Sequence, residues 1–134
     1  MKAIAMIAAG AALVLTGTVA AASGSGTNAK GEARLARMLE GRTPGEPVSC
    51  IDTLRSDKME VIDGVAVVYD AGKTIYVARP TDPRMLGASD ALVIDRFSGS
   101  RLCVQEAMKT IDRYDHFPTG VVFLQSFVPY TKPD

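Results

Sequence analysis

The chain contains 134 residues, in which 15 Lys and Arg side chains are balanced by 15 Asp and Glu, so its formal net charge is zero. Nucleic-acid-binding surfaces need clustered positive charge, and no such cluster is visible along this sequence, so nucleic acid is not expected as a partner. One His and two distant Cys fall short of the four ligands of a structural zinc site, so neither a metal nor a cofactor is predicted.

Residues 1–22 have the pattern of a secretory signal peptide. One positive charge precedes an apolar run over residues 3–15, and small residues continue through Ala22. Cleavage is expected after Ala22, with cuts after Ala20 or Ala21 as alternatives. The run is shorter than the roughly 20 residues that span a bilayer, so no membrane span is expected after cleavage. The mature chain is therefore predicted to be periplasmic or secreted, with residues 31–134 forming a single compact domain.

The first predicted element of the mature chain is a short amphipathic helix. Residues 23–30 are small and polar and predict a flexible lead-in. After them, Leu35, Met38 and Leu39 follow at helical spacing, and Gly41 is the expected stop. The apolar stripe is expected to pack on the domain's own sheet rather than on a partner.

Three β-rich segments follow from residue 59, where the period of the apolar pattern changes to two. Asp63-Gly64 is a favoured two-residue hairpin turn, and Gly72 suits a left-handed bulge position in the next turn. The segments are therefore predicted to form an antiparallel meander over residues 59–62, 65–69 and 74–78.

The last third of the chain predicts further strands at residues 91–97, 109–113 and 121–130, although residues 106–109 also fit a short helix. In the final strand, Phe123, Phe127 and Tyr130 are core candidates, and Pro129 restricts the strand to an edge or an end of a sheet. The predicted fold class is α+β. One N-terminal helix packs on an antiparallel, mostly meander β-sheet or small open barrel of about six strands.

Cys50 and Cys103 are the only cysteines, so they allow one intramolecular pairing. Disulfides persist in the oxidising compartment that the signal peptide predicts, and closing a loop of this length would stabilise the fold by roughly 4 kcal/mol. Two unrelated buried thiols are an alternative. A redox pair usually has the C-x-x-C spacing, and a metal site needs more ligands. A structural disulfide is therefore the preferred interpretation.

The stretch DAGKT imitates the end of a phosphate-binding loop. The motif requires a glycine five residues before Gly72, where Val67 stands, and it requires a helix after the loop, where a strand is predicted. The stretch is therefore interpreted as a turn.

His116 is the only histidine and the one candidate for acid–base catalysis. It could join Asp112 or Asp115 with Ser98 or Ser100 in a Ser-His-Asp arrangement, because triads assemble in space and not in sequence order. No nucleophile-elbow pattern surrounds either serine. No residue is therefore predicted to be catalytic, and a small envelope hydrolase using Asp112, Asp115 and His116 is the alternative function.

Several short segments are distributed over nearly the whole mature chain: EPVSCI, YDAGKTIYVARP, FSGSRLC, IDR and GVVFLQSFVPYTK. Together they resemble a group of small exported proteins of Gram-negative bacteria that contain a domain of unknown function. The two cysteine segments and the Phe-Val-Pro-Tyr ending are the most specific elements. Because that family has no agreed activity, the resemblance implies a periplasmic or secreted domain and transfers no catalytic residue.

The sequence favours a non-enzymatic binding or interaction module of the cell envelope, because the chain is small and contains no assembled catalytic motif. Exposed loops that contain Arg, Tyr or His are the expected contact surface. Arg84, Tyr114 and His116 are therefore the candidate binding-loop residues. The expected partner is an envelope protein, such as a hydrolase that the module inhibits, or a glycan.

Overall fold

The structure is a computed structural model that describes residues 26–54, 58–87, 89–95 and 99–134. The predicted signal peptide lies outside the described residues. Within these ranges the chain forms one α-helix and ten strands in three sheets, none of them closed, which confirms the α+β class. There are more strands than the predicted six because several are only two or three residues long, too short to show a period in the sequence.

The helix α1 spans Gly26–Met38, and a single 3-10 turn spans Pro83–Met85. In chain order the strands are β1 Thr43–Pro44, β2 Cys50–Asp52, β3 Met59–Ile62, β4 Ala66–Asp70, β5 Thr74–Ala78, β6 Asp90–Val93, β7 Arg101–Cys103, β8 Met108–Asp112, β9 Pro118–Val122 and β10 Val128–Thr131. The strands β3 and β5 have the predicted bounds, and β8 lies within one residue of its prediction.

The C-terminal half of α1 packs and ends as its sequence predicts. The Leu35 side chain is buried against the sheet, with Met38 and Leu39 partly buried beside it. Beyond the helix, the Arg42 N–H donates to the Leu39 carbonyl across Gly41, whose φ of 72° is the left-handed conformation that favours glycine. The apolar stripe of the helix is therefore used inside the domain.

The N-terminal half of α1 extends further than predicted. The helix begins at Gly26, so residues 26–30 of the expected flexible lead-in are helical. Backbone hydrogen bonds propagate a helix beyond its apolar face, so a polar composition does not mark where it starts. At Gly31 the helix approaches the β3–β4 hairpin so closely that a Cβ atom would lie 2.6 Å from Cγ2 of Val65.

The largest sheet has the strand order β1-β10-β5-β4-β3, and all its pairs are antiparallel. Because β3, β4 and β5 are successive neighbours, the predicted meander is confirmed. The strand β4 is buried on both faces: Ala66 and Val68 lie on the α1 side, and Val67 and Tyr69 lie on the opposite side. This five-stranded sheet is therefore the central layer of the domain.

The β3–β4 turn differs from the prediction by one residue. The Val65 N–H donates to the Ile62 carbonyl at 2.9 Å, so Val65 belongs to the turn and β4 begins one residue later than expected. Gly64 has a φ of 65°, whereas Asp63 does not have a positive φ. The hairpin turn that Asp-Gly favours has positive φ at both central residues, so this turn is of another type.

Two smaller sheets cover the face of the central sheet opposite α1. One pairs β2 with β7, and the other has the order β6-β8-β9. The apolar core is accordingly in two parts. The helix-side cluster contains Leu35, Ile62, Val65, Ala66, Val68, Ile75 and Val77. The opposite cluster contains Ile51, Val67, Tyr69, Ala78, Leu86, Leu102, Met108, Val122, Leu124 and Phe127.

The single strand predicted over residues 121–130 is divided between β9 and β10, which belong to different sheets. Between them, the Thr81 N–H donates to the Phe123 carbonyl, and the chain then reaches the buried Phe127. The Phe123 side chain is 50% exposed, so its assignment to the core was wrong, and Tyr130 is half-buried. The polar pair Gln125-Ser126 interrupts the apolar residues of this segment, but the interruption alone does not show that the chain leaves one sheet for another.

Pro129 does not lie on an edge strand, because β10 has β5 on one side and β1 on the other. The Pro129 carbonyl accepts a hydrogen bond from the Gly45 N–H at 2.7 Å on the β1 side. The N–H and C=O of one residue point to the same side of a strand. The missing proline N–H is therefore on the β1 side, and the pairing with β5 loses no hydrogen bond.

Candidate functional site

Cys50 and Cys103 form a disulfide between β2 and β7. They stand directly opposite each other in the antiparallel register, with their Cα atoms 4.0 Å apart. The Val104 N–H donates to the Ser49 carbonyl, so the Cys50–Cys103 pair is the neighbouring non-hydrogen-bonded pair, where opposite Cα atoms are closest. The predicted pairing is confirmed, but it lies in a separate two-stranded sheet and not in the main sheet.

The disulfide is placed where it stabilises the fold. A two-stranded ribbon is marginally stable alone, and this ribbon is held by the disulfide and by the buried Ile51 and Leu102, which are also opposite each other. In the part of the chain that the structure describes, no three His, Cys, Asp or Glu side chains come together as metal ligands. The disulfide covalently links segments 53 residues apart.

Arg84, the first candidate binding residue, lies in the 3-10 turn beside Asp82. Its Nε donates to Oδ1 of Asp82 at 3.1 Å and its Nη2 donates to Oδ2 at 2.9 Å. These side-chain hydrogen bonds lower the pKa of the Asp82 carboxyl and raise the pKa of the Arg84 guanidinium. Asp82 also accepts from the Arg84 backbone N–H, so this exposed ion pair caps the turn.

Tyr114 and His116 lie on the turn that joins β8 to β9. The Asp112 carboxylate accepts from the backbone N–H of Asp115 at 2.9 Å and of Tyr114 at 2.8 Å, and these bonds hold the pKa of Asp112 below its ordinary value. His116 has a φ of 58°, so the chain reverses there in a left-handed conformation. Tyr114 is 80% exposed, and Asp115 and His116 are exposed as well.

This arrangement does not support the alternative hydrolase. The Asp112 carboxylate accepts hydrogen bonds from the backbone of the turn, and the nearby His116 contributes less than these bonds to its lowered pKa. The three proposed residues lie on a projecting hairpin, and none of them lines the clefts described below. Of the candidate nucleophiles, Ser98 lies outside the described residues. The geometry at this turn is that of a stabilised surface loop.

A cleft of about 520 Å³ lies between β3 and β6. Among the described residues β3 pairs only with β4, and β6 pairs only with β8, so both are edge strands. One end of the cleft is tied by a hydrogen bond from the Gly64 N–H to the Leu86 carbonyl at 2.7 Å. The floor consists of half-buried apolar side chains that pack on the core: Met59, Val61, Leu92 and Ile94.

Charged side chains from three elements line the same cleft. Arg34 from α1 forms an ion pair with Glu60 of β3, and both remain partly exposed. Arg113, which follows β8, lines the cleft and donates through Nε to the carbonyl oxygen of Asp90 at 3.1 Å. The cleft therefore combines an apolar floor with two guanidinium groups and one carboxylate.

A second groove continues from this cleft between α1 and β3. It shares Arg34 and Val61 with the first cleft and is also lined by Lys30, Arg37 and Asp63. Lys30, Arg34 and Arg37 follow one another at intervals of four and three residues, which places them on one face of the helix. The open edge of β3 is therefore bordered by a basic helix face.

This cleft was not predicted from the sequence. One signal was present, because the basic residues of α1 recur at helical spacing and predict a basic face. No sequence pattern indicated the residues that line the other sides of the cleft. Leu92 and Arg113 are distant from α1 in sequence, and only the packing of the layers brings β6 opposite β3. The candidate residues Arg84, Tyr114 and His116 do not line the cleft.

Comparison with protein-family models, with curated proteins and with solved structures finds no match. In the described ranges, no helix is long and apolar enough to cross a membrane. The function is therefore argued from the geometry of this chain.

Proposed function

We propose that this protein is a disulfide-tied, non-enzymatic binding module of the cell envelope and that the cleft between β3 and β6 is its binding surface. One observation supports the binding role above others: two open strand edges and a half-buried apolar floor meet in the same cleft. Exposed strand edges and apolar surface are liabilities for a free monomer. Their combination in one place is typical of a surface that a partner covers.

The proposed location depends on the N-terminal part of the chain and on the disulfide. Residues 1–22 have the signal-peptide pattern, and a disulfide is stable in the periplasm or outside the cell. The resemblance to small exported proteins of Gram-negative bacteria favours the same compartment. The Cys50–Cys103 disulfide agrees with this location.

The proposed function is tested by site-specific crosslinking inside the envelope of a Gram-negative host. A photoreactive amino acid replaces Leu92 in the cleft, and a matched variant carries it at Val121, a 40% exposed apolar residue of β9 outside the cleft. We expect the full-length gene to yield periplasmic protein cleaved after residue 22, with light-dependent adducts from the Leu92 position only. Adducts from Val121 alone, or from neither position, would contradict the cleft as the binding surface.

A further inference from the structure

The outer strands of the two larger sheets differ in how they are protected against strand addition. β1 is two residues long and contains Pro44. β9 begins with Pro118 and has a bulge at Thr119, where the pairing with β8 shifts by one residue. Proline and bulges are devices that block edge-to-edge pairing. β3 and β6 contain neither, and both stay in register with their partners over all four residues.

The two edges that contain neither a proline nor a bulge open to the same cleft. Met59, Glu60 and Val61 all line it, and successive strand residues point to opposite faces, so the cleft follows the edge of β3 and not one face. Every second residue of an edge strand directs its N–H and C=O away from its neighbour. An extended polypeptide has donors and acceptors at the spacing that such an edge requires, which is the basis of recognition by strand addition.

The charge around the cleft selects among extended polypeptides. The full chain has equal numbers of basic and acidic residues. Around the cleft and its adjoining groove, four cations stand against only two carboxylates: Lys30, Arg34, Arg37 and Arg113 against Glu60 and Asp63. Like charges at this helical spacing repel one another, and no described residue forms an ion pair with Lys30 or Arg37. The helix dipole favours a cation at Arg37, in the last turn of α1, but it does not favour Lys30, which lies in the N-terminal half of the helix.

We infer that the cleft binds an extended acidic segment of a partner protein, which adds to the edge of β3 as a further strand. The inference rests on the proposed binding function and names the class of ligand. The partner's backbone pairs with β3, its carboxylates pair with Arg34, Arg37 and Arg113, and its alternate apolar side chains cover Val61 and Leu92. Because β3 has four residues, a segment of four to six residues, about 13–20 Å long when extended, matches the site.

The direct test is fluorescence anisotropy with a labelled eight-residue peptide that alternates glutamate and valine. Two matched peptides serve as probes, one with lysine in place of glutamate and one with N-methyl groups on alternate backbone nitrogens. We expect the acidic peptide to bind at least 10-fold more tightly than either control, and its affinity to fall as salt rises because exposed charges are screened. Equal binding of the N-methylated peptide, or of a sulfated polysaccharide, would mean that the surface binds polyanions, and would overturn strand addition.

Protein variants locate the binding. Arg34→Gln combined with Arg37→Gln should weaken the acidic peptide at least 10-fold, whereas Arg101→Gln, which removes an exposed charge from β7, should leave its affinity within 2-fold. On binding, the β3 amides should exchange hydrogen at least 10-fold more slowly, and the β9 amides should not change. Protection of β9 without β3, or an equal loss of affinity in Arg101→Gln, would contradict the inference.

The crosslinking and peptide-binding experiments together distinguish a wrong inference from a wrong proposed function. If Leu92 crosslinks in the envelope but no acidic peptide binds at millimolar concentration, the cleft is a binding surface and the acidic-strand inference is wrong. If neither experiment gives a signal, the proposed function itself is wrong.

Discussion

The two faces of the central sheet are closed in different ways. The face toward α1 is covered by one helix, and its buried side chains come mainly from α1 and the successive strands β3, β4 and β5. The opposite face is covered by two small sheets, and the buried cluster between them and the central sheet contains side chains from residue 51 to residue 127. The disulfide belongs to this second half of the molecule, and the cleft lies where its strand β6 faces the edge of the central sheet.

The difference follows from the cost of closing loops. Contacts between elements that follow one another in sequence close short loops, so local apolar patterns are enough to specify the helix-covered face. Contacts between distant segments lose more chain entropy before they gain burial. On that face the chain adds a covalent link at β2–β7, and the layers separate enough at β3 and β6 to leave a cleft. The following predictions test whether the two faces differ in this way.

The largest effect is expected from Phe127→Ala. Phe127 is fully buried in the cluster on the disulfide side, so its truncation should lower the free energy of unfolding by about 4 kcal/mol. Phe123→Ala is the matched control, because Phe123 is half exposed and the same change should cost less than about 1 kcal/mol. Urea denaturation measures both. Similar losses in the two variants would mean that residues 123–127 pack differently from the structure.

The next largest effect should come from removing the disulfide. The double variant Cys50→Ser with Cys103→Ser should lose about 3 kcal/mol, within the range measured for such links and below the chain-entropy limit of about 4 kcal/mol. Hydrogen exchange sharpens the comparison: the Thr53 and Val104 amides, which bond across the β2–β7 ribbon, should lose more protection than amides of β4.

Titration of thiols in the wild-type protein tests whether the disulfide is present. Wild-type protein recovered from the periplasm should show no titratable thiol under denaturing conditions without reductant. Two titratable thiols would refute the bond, and equal loss of protection on both faces of the sheet in the double variant would show that they unfold as one unit.

Leu35→Ala tests the helix-covered face and should cost about 2–3 kcal/mol. This value is at the low end for buried leucine because a surface helix can shift to fill the space. Leu54→Ala is the matched control, since Leu54 is 80% exposed and its truncation should change thermal stability very little. Unchanged stability in Leu35→Ala would mean that α1 does not close this face and is free for another partner.

The smallest effect is expected at the Glu32–Arg79 ion pair, which joins α1 to the residue after β5. Arg79 donates to both carboxylate oxygens of Glu32, at 2.7 and 3.1 Å, and these bonds hold the pKa of Glu32 below its ordinary value of 4.5. Both side chains are about half exposed, so Glu32→Gln should cost less than about 1 kcal/mol at pH 7.

The difference in unfolding free energy between wild type and Glu32→Gln should depend on pH in a definite direction. A lowered carboxyl pKa stabilises the folded protein above pH 4.5, and this contribution is lost as the pH falls through the folded-state pKa. Wild type and Glu32→Gln should therefore differ in urea midpoint at neutral pH and converge in more acidic solution. Glu46→Gln, at an exposed position outside α1, is the control. A difference that persists unchanged at low pH would exclude the ion pair as its cause.

Much of the helix-covered half was determined by the sequence itself. The spacing of Leu35, Met38 and Leu39 specified the buried face of α1, and the alternating apolar residues from Met59 to Ala78 specified three neighbouring strands. The pairing of Cys50 with Cys103 was determined because only two cysteines were present. These features depend on neighbours in the chain or on a unique choice, so a local pattern is sufficient to predict them.

The arrangement of the half opposite α1 depends on tertiary packing and could not be predicted from the sequence. In residues 121–130, where Gln125 and Ser126 interrupt the apolar residues, the sequence does not indicate that Phe123 faces solvent and Phe127 the core, because the chain changes sheets between them. The cleft has the same origin: β3 and β6 become facing edges through the packing of layers, and no spacing in the sequence connects Arg34 with Arg113. Local periodicity reports which side of an element is buried, whereas the choice of its neighbour depends on segments distant along the chain.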